Sequence, residues 1–394
     1  MDHVGGVHTF REKYRFLASD PGIDLTVFVP EKWIENGRLV RARSKDEGYA
    51  IRTGKAGFRG YENRGFFYTG LARALSEVRP HIFHLNEEPY SVIALQCVLL
   101  ARIFCPRAPI LFYTFDNLHP GFHYPYRPSW FYGLVQRYVH RRASVGMVGC
   151  SDALTILRSR GFTKPVRFVP LAVDPESYRT MDVHDLRNDL DLRDFVIGFV
   201  GRLIPMKGIS VLLDALGSLP FPWSLFILGD GEERTRIEEY ARDSGNADRV
   251  RIVPMVSHAD VPRFLNLLDT LVLPSRTTNC SKEQFGRVLI EAMACGVPVV
   301  GSDSGSIPEV IGEGGRVVPE GDPTELAAVL CELRDNAEER KNLGRAGRER
   351  VLKHFTWQRV AEIYKSIYRD LLEGTVPSEE DPPWSTCSSH SRRS

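Results

Sequence analysis

The chain lacks the marks of several common protein classes. It has no CxxC pair and no histidine-spaced cysteine set, its cysteines standing singly at 97, 105, 150, 280, 295, 331 and 387. Scattered thiols, odd in number, fit a reducing cytosol and not a disulfide framework or a zinc site. No run of eighteen apolar residues reads as a membrane span, and residues 1–20 lack the apolar stretch of a secretory leader. Neither sign of charge prevails. A net charge of +1 over 394 residues argues against nucleic acid as a partner. A cytoplasmic protein is expected.

A strand is also lacking where one should be. Val4-Gly5-Gly6-Val7 and the helical stretch Thr9–Ala18 read as the glycine loop and first helix of a doubly wound domain. No apolar strand precedes them. The expectation is either a start codon assigned too far downstream or a domain without its first strand.

What is present is a soluble globular composition, 43% hydrophobic and 26% charged, in a chain too long for one core. Apolar runs at 24–30, 81–85, 110–114, 144–150 and 166–170 read as strands. Helical patterns at 68–78, 91–104, 129–142 and 152–160, the last capped by Ser151, alternate with them. That succession implies a mostly parallel sheet covered on both faces. A polar stretch, 174–194, leads to a second series. Its strands are expected at 195–200, 223–228, 250–253, 270–273 and 297–301, and its helices at 208–217, 232–244, 260–268, 283–294 and 323–336. The fold class is therefore α/β, with an N-terminal domain over 1–172 and a second over 173–354. A helix at 355–372 closes back towards the first, and 373–394 has the composition of a disordered tail.

Within the second series, CSKEQFGRVLIEAMACGVPVVGSD holds two carboxylates, Glu283 and Glu291, eight residues apart. Eight helical residues rise roughly 12 Å, near the hexose-to-ribose separation of an extended sugar nucleotide. An ionised carboxylate suits each end because sugar hydroxyls are donors. A helix beginning near Gln284 would turn its N–H groups and dipole to the diphosphate between. Surface glutamates at this spacing are also common. The Gly296–Gly301 turn and strand and the Ser304–Glu309 loop set the pair in a nucleotide-binding context. At 100° per residue the two side chains lie about 80° apart. Glu283 is thus expected in the loop before the helix and Glu291 two turns inside it, a ruler for the donor and not an acid/base couple.

From Gly5 to about Leu372 the chain resembles a family 4 glycosyltransferase of the GT-B fold. The resemblance rests on Gly5-Gly6, Val169–Asp174, Phe199–Leu203 with Lys207-Gly208, Gly229-Asp230-Gly231, Lys282–Gly286, and Glu291-Ala292 with Gly296–Val299. It implies two Rossmann-like domains facing a central crevice and a retaining, metal-independent transfer from a nucleoside-diphosphate sugar, with no cofactor. Arg202 and Lys207 would neutralise the leaving diphosphate. Glu283 would hold the hexose, Glu291 the ribose, and the Phe285, Gly286 and Arg287 amides the phosphates. Met255-Val256 would border the base, and Gly6 would approach the phosphate closely. The acceptor would be a glycan, lipid-linked or small-molecule hydroxyl, as in polysaccharide biosynthesis. Asp189-Leu190-Asp191, the one DxD spacing, reads as a solvated helix end.

The chain departs from the family at Thr114-Phe115-Asp116-Asn117, where many relatives carry Thr-x-His. Asp116 or Asn117 would take over the hydrogen bond to the transferring sugar, unless His119 reaches back or the Asp-Asn simply makes a turn. Residues 38–64 carry eight Lys/Arg against three Asp/Glu, with Tyr49, Phe58 and Tyr61 interleaved. A solvated surface hairpin is the first reading. Peripheral contact with the inner face of a membrane is the second. Two other functions stay open: a silent sugar-nucleotide-binding partner subunit, and a GT-B relative such as a UDP-sugar epimerase or a glycosyl phosphorylase.

Overall fold

The computed structural model describes residues 1–2, 11–35, 38–42, 48–60, 64–117, 128–279, 281–378 and 381–384. Gly5, Gly6, Tyr61, His119, Cys280 and Cys387 lie outside them. Two compact units form: Met1–Pro170 with Trp357–Pro382, and Leu171–Thr356 with Pro383–Ser394.

In chain order the first unit holds α1 (Glu12–Ala18), β1 (Thr26–Pro30), β2 (Lys32–Glu35), β3 (Arg38–Arg41), β4 (Ala50–Gly54), β5 (Ala56–Gly57), β6 (Phe66–Phe67), α2 (Leu71–Val78), β7 (Phe83–Leu85), α3 (Val92–Phe104), β8 (Ile110–Thr114), α4 (Ser129–Arg142), β9 (Val145–Val148), α5 (Ser151–Ser159) and β10 (Val166–Phe168). A four-stranded sheet runs β10-β9-β8-β7, all parallel, and β1 pairs in parallel with β4 apart from it. Every residue of β8 and β9 is buried, which is why both strands read as unbroken apolar runs. Ser91 caps α3 by accepting from the Ala94 N–H. Ser151 is instead the first residue of α5, and Cys150 holds the cap position.

Among the described residues, Met1 and Asp2 alone bond to the strands on either side of the space between β1 and β7. Asp2 N donates to Phe28 O at 3.1 Å and Asn86 N to Met1 O at 2.8 Å. The β1-β4 pair and the four-stranded sheet remain separate across this interruption. The basic stretch begins with β3, which pairs antiparallel with β2, and includes β4, which pairs in parallel with β1. Tyr49 is buried edge-on against Tyr14, whereas Phe58 is exposed.

The second unit holds α6 (His184–Asp189), β11 (Phe195–Val200), α7 (Ile209–Gly217), β12 (Trp223–Leu228), α8 (Arg234–Asp243), β13 (Val250–Val253), α9 (Val261–Leu265), β14 (Thr270–Leu273), α10 (Arg287–Ala294), β15 (Val299–Ser302), α11 (Ile307–Ile311), β16 (Gly315–Val318), α12 (Pro323–Asp335) and α13 (Ala337–His354). Its parallel sheet is ordered β13-β12-β11-β14-β15-β16. β11, β12 and β14 are wholly buried, and α7 and α12 close one face through Leu212, Leu216, Leu326 and Leu330. A final helix, α14 (Trp357–Glu373), returns to the first unit and packs on α1.

The polar stretch 174–194 contains α6 and the buried Tyr178. One expectation needs correction: the tail beyond Glu373 is not wholly disordered. Trp384 is buried, its ring 5.7 Å from that of Phe355, and its carbonyl accepts from the Arg350 guanidinium. One indole outweighs the polar composition around it. Trp384→Ala should destabilise the second unit by about 3 kcal/mol, read as a lower urea midpoint. An unchanged midpoint would leave the tail without a structural role.

Candidate functional site

The strand order of the second unit reverses between β11 and β14: the chain adds β12 and β13 on one side, then crosses to β14 on the other. Loops leaving the carboxyl ends of two such strands diverge and open a crevice for ligand. Here those loops are Gly201–Gly208 and Pro274–Gly286. Gly208 lies at φ 68°, and a Cβ there would sit 1.8 Å from the Pro274 carbonyl oxygen. Only glycine lets the two loops approach so closely. Gly229, after β12, meets Gly201 in the same way, at 1.9 Å.

Lys207 and Glu283 come together across this junction. The lysine Nζ donates to Glu283 Oε2 at 2.6 Å, and Ser275 Oγ donates to the same oxygen at 2.8 Å. Glu283 is only 7% exposed. The family pattern had assigned the lysine to diphosphate and the glutamate to hexose. In the structure each is also the other's partner. Ser275 was missed because a lone serine after a strand carries no signal of its own.

The backbone around Glu283 corrects the expected helix. Gly305, at φ 61°, presses on Glu283, where a Cβ would lie 2.0 Å from its carbonyl oxygen. Ser306 Oγ donates to the Gln284 carbonyl at 2.8 Å. The Gln284 carbonyl is thus held by the 304–306 loop, and Gly286 is left-handed at φ 72°. The helix cannot run through these residues, so α10 begins at Arg287 and not at Glu283 or Gln284. Glu283 does stand in the preceding loop. Glu291 lies one turn inside the helix, not two.

Glu291 is buried and held by Arg287 Nε at 2.9 Å and by the Tyr178 hydroxyl, which donates at 3.4 Å. Burial raises its carboxyl pKa above the ordinary range, and the Arg287 charge only partly offsets this. Burial first, and Glu291 second, push the Tyr178 phenol upward in turn. Tyr178 escaped the sequence reading because it sits over a hundred positions away in a polar stretch.

Other candidates fall where the strand ends place them. Arg202 follows β11 and is exposed, with no ion pair among the described residues. Val256, half-buried, follows β13 beside the exposed Met255. Phe285 is a core side chain, edge-on to Phe355 at 5.8 Å, so only its backbone is available to a ligand. The Asp189-Leu190-Asp191 triplet ends α6, and Asp191 pairs with Arg193 and Arg251. In the first unit, Asp116 follows β8 and forms an ion pair with Arg160. Glu88 accepts from Thr114 Oγ1 at 2.6 Å and from Phe115 N at 2.8 Å, fixing that loop. Neither Arg160 nor Glu88 was legible in the sequence. Gly6 lies outside the described residues.

A buried carboxyl with a raised pKa loses stability for the fold as pH climbs from its ordinary value of 4.5, because the unfolded chain releases that proton more readily. Glu291→Gln mimics the protonated form. It should match the parent in acid and exceed it in melting temperature at neutral pH, measured from about pH 4 to about pH 8. A variant less stable than the parent at neutral pH would show that the Arg287 pairing outweighs desolvation.

Residues 183–350 match the sequence family described as Glycosyl transferases group 1. An uncharacterized glycosyltransferase of Methanocaldococcus jannaschii is 32% identical over 44% of this chain and 48% of its own length. The D-inositol 3-phosphate glycosyltransferase of Jonesia denitrificans is 34% identical, over 44% and 42%. The chain spans about half the length of the curated relatives it matches. Among solved structures, sucrose-phosphate synthase of Thermosynechococcus elongatus aligns with a TM-score of 0.69 at 21% identity, covering 93% of each chain. HepE of Anabaena, in complex with UDP, aligns with a TM-score of 0.69 at 19% identity, over 92% and 96%. The fold is GT-B, and within it residues 183–350 are similar to the glycosyl transferases group 1 family.

Proposed function

We propose that the protein is a retaining glycosyltransferase that moves a sugar from a nucleoside-diphosphate sugar to an acceptor hydroxyl without a metal ion or cofactor. The observation that carries this reading is the Lys207–Glu283 pair at the reversal between β11 and β14. It sets a cation and a carboxylate side by side at the carboxyl ends of the strands, the place where doubly wound sheets bind ligands. The relatives support the reading: HepE was solved with UDP and with UDP-glucose, and the curated relatives include a mannosyltransferase of Mycolicibacterium hassiacum.

In this proposal the lysine spends one N–H on Glu283 and turns the remaining donors to the diphosphate, with Arg202 beside it. Glu283, already ordered, accepts from the hexose hydroxyls. The Gly286 and Arg287 amides, at the open start of α10, meet phosphate oxygens. Glu291 accepts from the ribose, and Val256 borders the base. Asp116, whose carboxylate is paired with Arg160, and Gly6 are kept as proposed donor-binding residues. The acceptor oxygen bonds to the anomeric carbon on the face from which the diphosphate departs. The carbon–phosphate-oxygen bond breaks, and the acceptor proton passes to a diphosphate oxygen. The lysine and arginine stabilise the charge that builds there.

The acceptor is proposed to be a glycan or lipid-linked hydroxyl, and the setting the cytoplasm with peripheral contact at the inner face of the membrane. Among the described residues no helix is long and apolar enough to cross a membrane.

Release of nucleoside diphosphate from UDP-, GDP- and ADP-sugars, with and without acceptor, tests the activity. Lys207→Ala should lower kcat by about a hundredfold or more, and Glu283→Ala should act chiefly on kcat as well. Glu291→Ala should act chiefly on KM for the donor. Addition of EDTA should leave the rate unchanged. Donor binding without release from any sugar nucleotide would favour the silent partner subunit instead.

A further inference from the structure

Three aromatic rings touch in succession, starting from the loop that carries Glu283. Phe285 meets Phe355 edge-on at 5.8 Å, and Phe355 meets Trp384 at 5.7 Å. All three are 2% exposed or less. Phe355 is fixed by its own main chain: its N–H donates to Val351 O at the end of α13, and its carbonyl accepts from Val173 N. Trp384 has no such frame. Residues 381–384 form neither helix nor strand, and the stretch 374–384 holds three prolines and three acids. A segment of that composition has little to order it except the indole itself.

The tryptophan is also held through its carbonyl. Arg350, 3% exposed, donates from Nη2 to Trp384 O at 2.5 Å and to Glu309 O at 2.7 Å, and from Nε to Val310 O at 3.0 Å. The last two carbonyls belong to α11, which directly follows the 304–306 loop. That loop touches the Glu283 segment, with Gly305 against the Glu283 carbonyl and Ser306 Oγ on that of Gln284. The guanidinium has little room to shift, since a Cβ on Gly312 would lie 2.5 Å from its central carbon. Trp384 therefore reaches the 283–287 segment by two routes, through Phe355 with its ring and through Arg350 with its carbonyl.

We infer that Trp384 is a positioning residue for the 283–287 segment, keeping Glu283 and the Gly286 and Arg287 amides in the arrangement that receives a sugar nucleotide. This role depends on the donor contacts proposed above for that segment. Its effect falls on the fraction of molecules in which the segment is ordered. When that fraction drops, apparent affinity for the donor drops in proportion, because binding must first restore the order. Bound donor restores the same geometry, so turnover at saturation changes little. By reciprocity, donor binding also tightens the seat of Trp384.

Trp384→Ala and Trp384→Phe are compared with the parent in the full chain, well below the melting temperature of each. Two amides report the segment: Leu289 N–H, which donates to Gly286 O, and Ser306 N–H, which donates to Glu283 O. Leu225 and Gly229, whose amides donate to Arg249 O and Val253 O, serve as controls. Trp384→Ala should exchange about tenfold or more faster at Leu289 and Ser306, and at the parent rate at the controls. Its KM for the donor should rise about tenfold, with kcat within about twofold. Trp384→Phe, which keeps a ring against Phe355, should restore both. Equal acceleration at all four amides, or none at Leu289 and Ser306, overturns the inference, since the indole would then serve only the stability of the unit. An unchanged KM overturns it as well. Should Trp384→Ala not fold, Trp384→Leu takes its place under the same criteria. If the parent turns over no sugar nucleotide, the proposed activity fails, and the exchange comparison alone decides the role of Trp384.

Discussion

A carboxylate and an ammonium 2.6 Å apart, Glu283 and Lys207, hold the second unit's two most important loops in one place. One loop leaves β11 and the other leaves β14, and the strands separate beneath them. Neither charge could be buried here alone. Stripping one partner from a buried pair costs about 3–5 kcal/mol, so each loop is fixed by the other. Ser275 adds a second donor to the same carboxylate oxygen, and Gly208 supplies the steric permission by leaving room for the Pro274 carbonyl. Both charged groups are held in fixed orientation, which is the condition under which charge stabilisation is most effective.

The neighbouring carboxylate shows the opposite balance. Glu291 is buried deeply enough that desolvation outweighs the attraction of Arg287. A fold selected for stability alone would have no use for it. This carboxylate stands one turn into α10 and is tied to Arg287 and to Tyr178 from a distant segment. The two glutamates therefore differ in kind: one is matched to a cation within the fold, the other incompletely compensated.

The first unit is organised around the gap between β1 and β7. Its edge is sealed by a compact polar cluster: Asp2, fully buried, accepts from the Tyr14 hydroxyl at 2.7 Å and lies 3.5 Å from Lys13 Nζ. His84 Nδ1 meets the Tyr368 hydroxyl at 2.7 Å, joining β7 to the last helix. These contacts anchor α1 and α14 at the site of the interruption, so the unit holds together around a sheet in two parts.

The order of elements was legible because period and punctuation agree. Ile110–Thr114, Phe195–Val200, Trp223–Leu228 and Thr270–Leu273 are read correctly from apolar runs, since strands covered on both faces are nearly continuous in apolar residues. The candidate residues Lys207, Glu283 and Glu291 came from spacing and resemblance, and the structure pairs the first two. The start of α10 was not. Helical periodicity continues back to Phe285, but a left-handed Gly286 and the contact from Gly305 stop the helix there. Local pattern cannot register a contact from twenty residues away. The same holds for Tyr178 with Glu291, for Arg160 with Asp116, and for the burial of Trp384. The sequence by itself determined which segments become strands and helices, and which chemistry is available to them. Only the tertiary structure decided which charges meet, because pairing depends on strand order and on glycine contacts that join positions far apart in the chain.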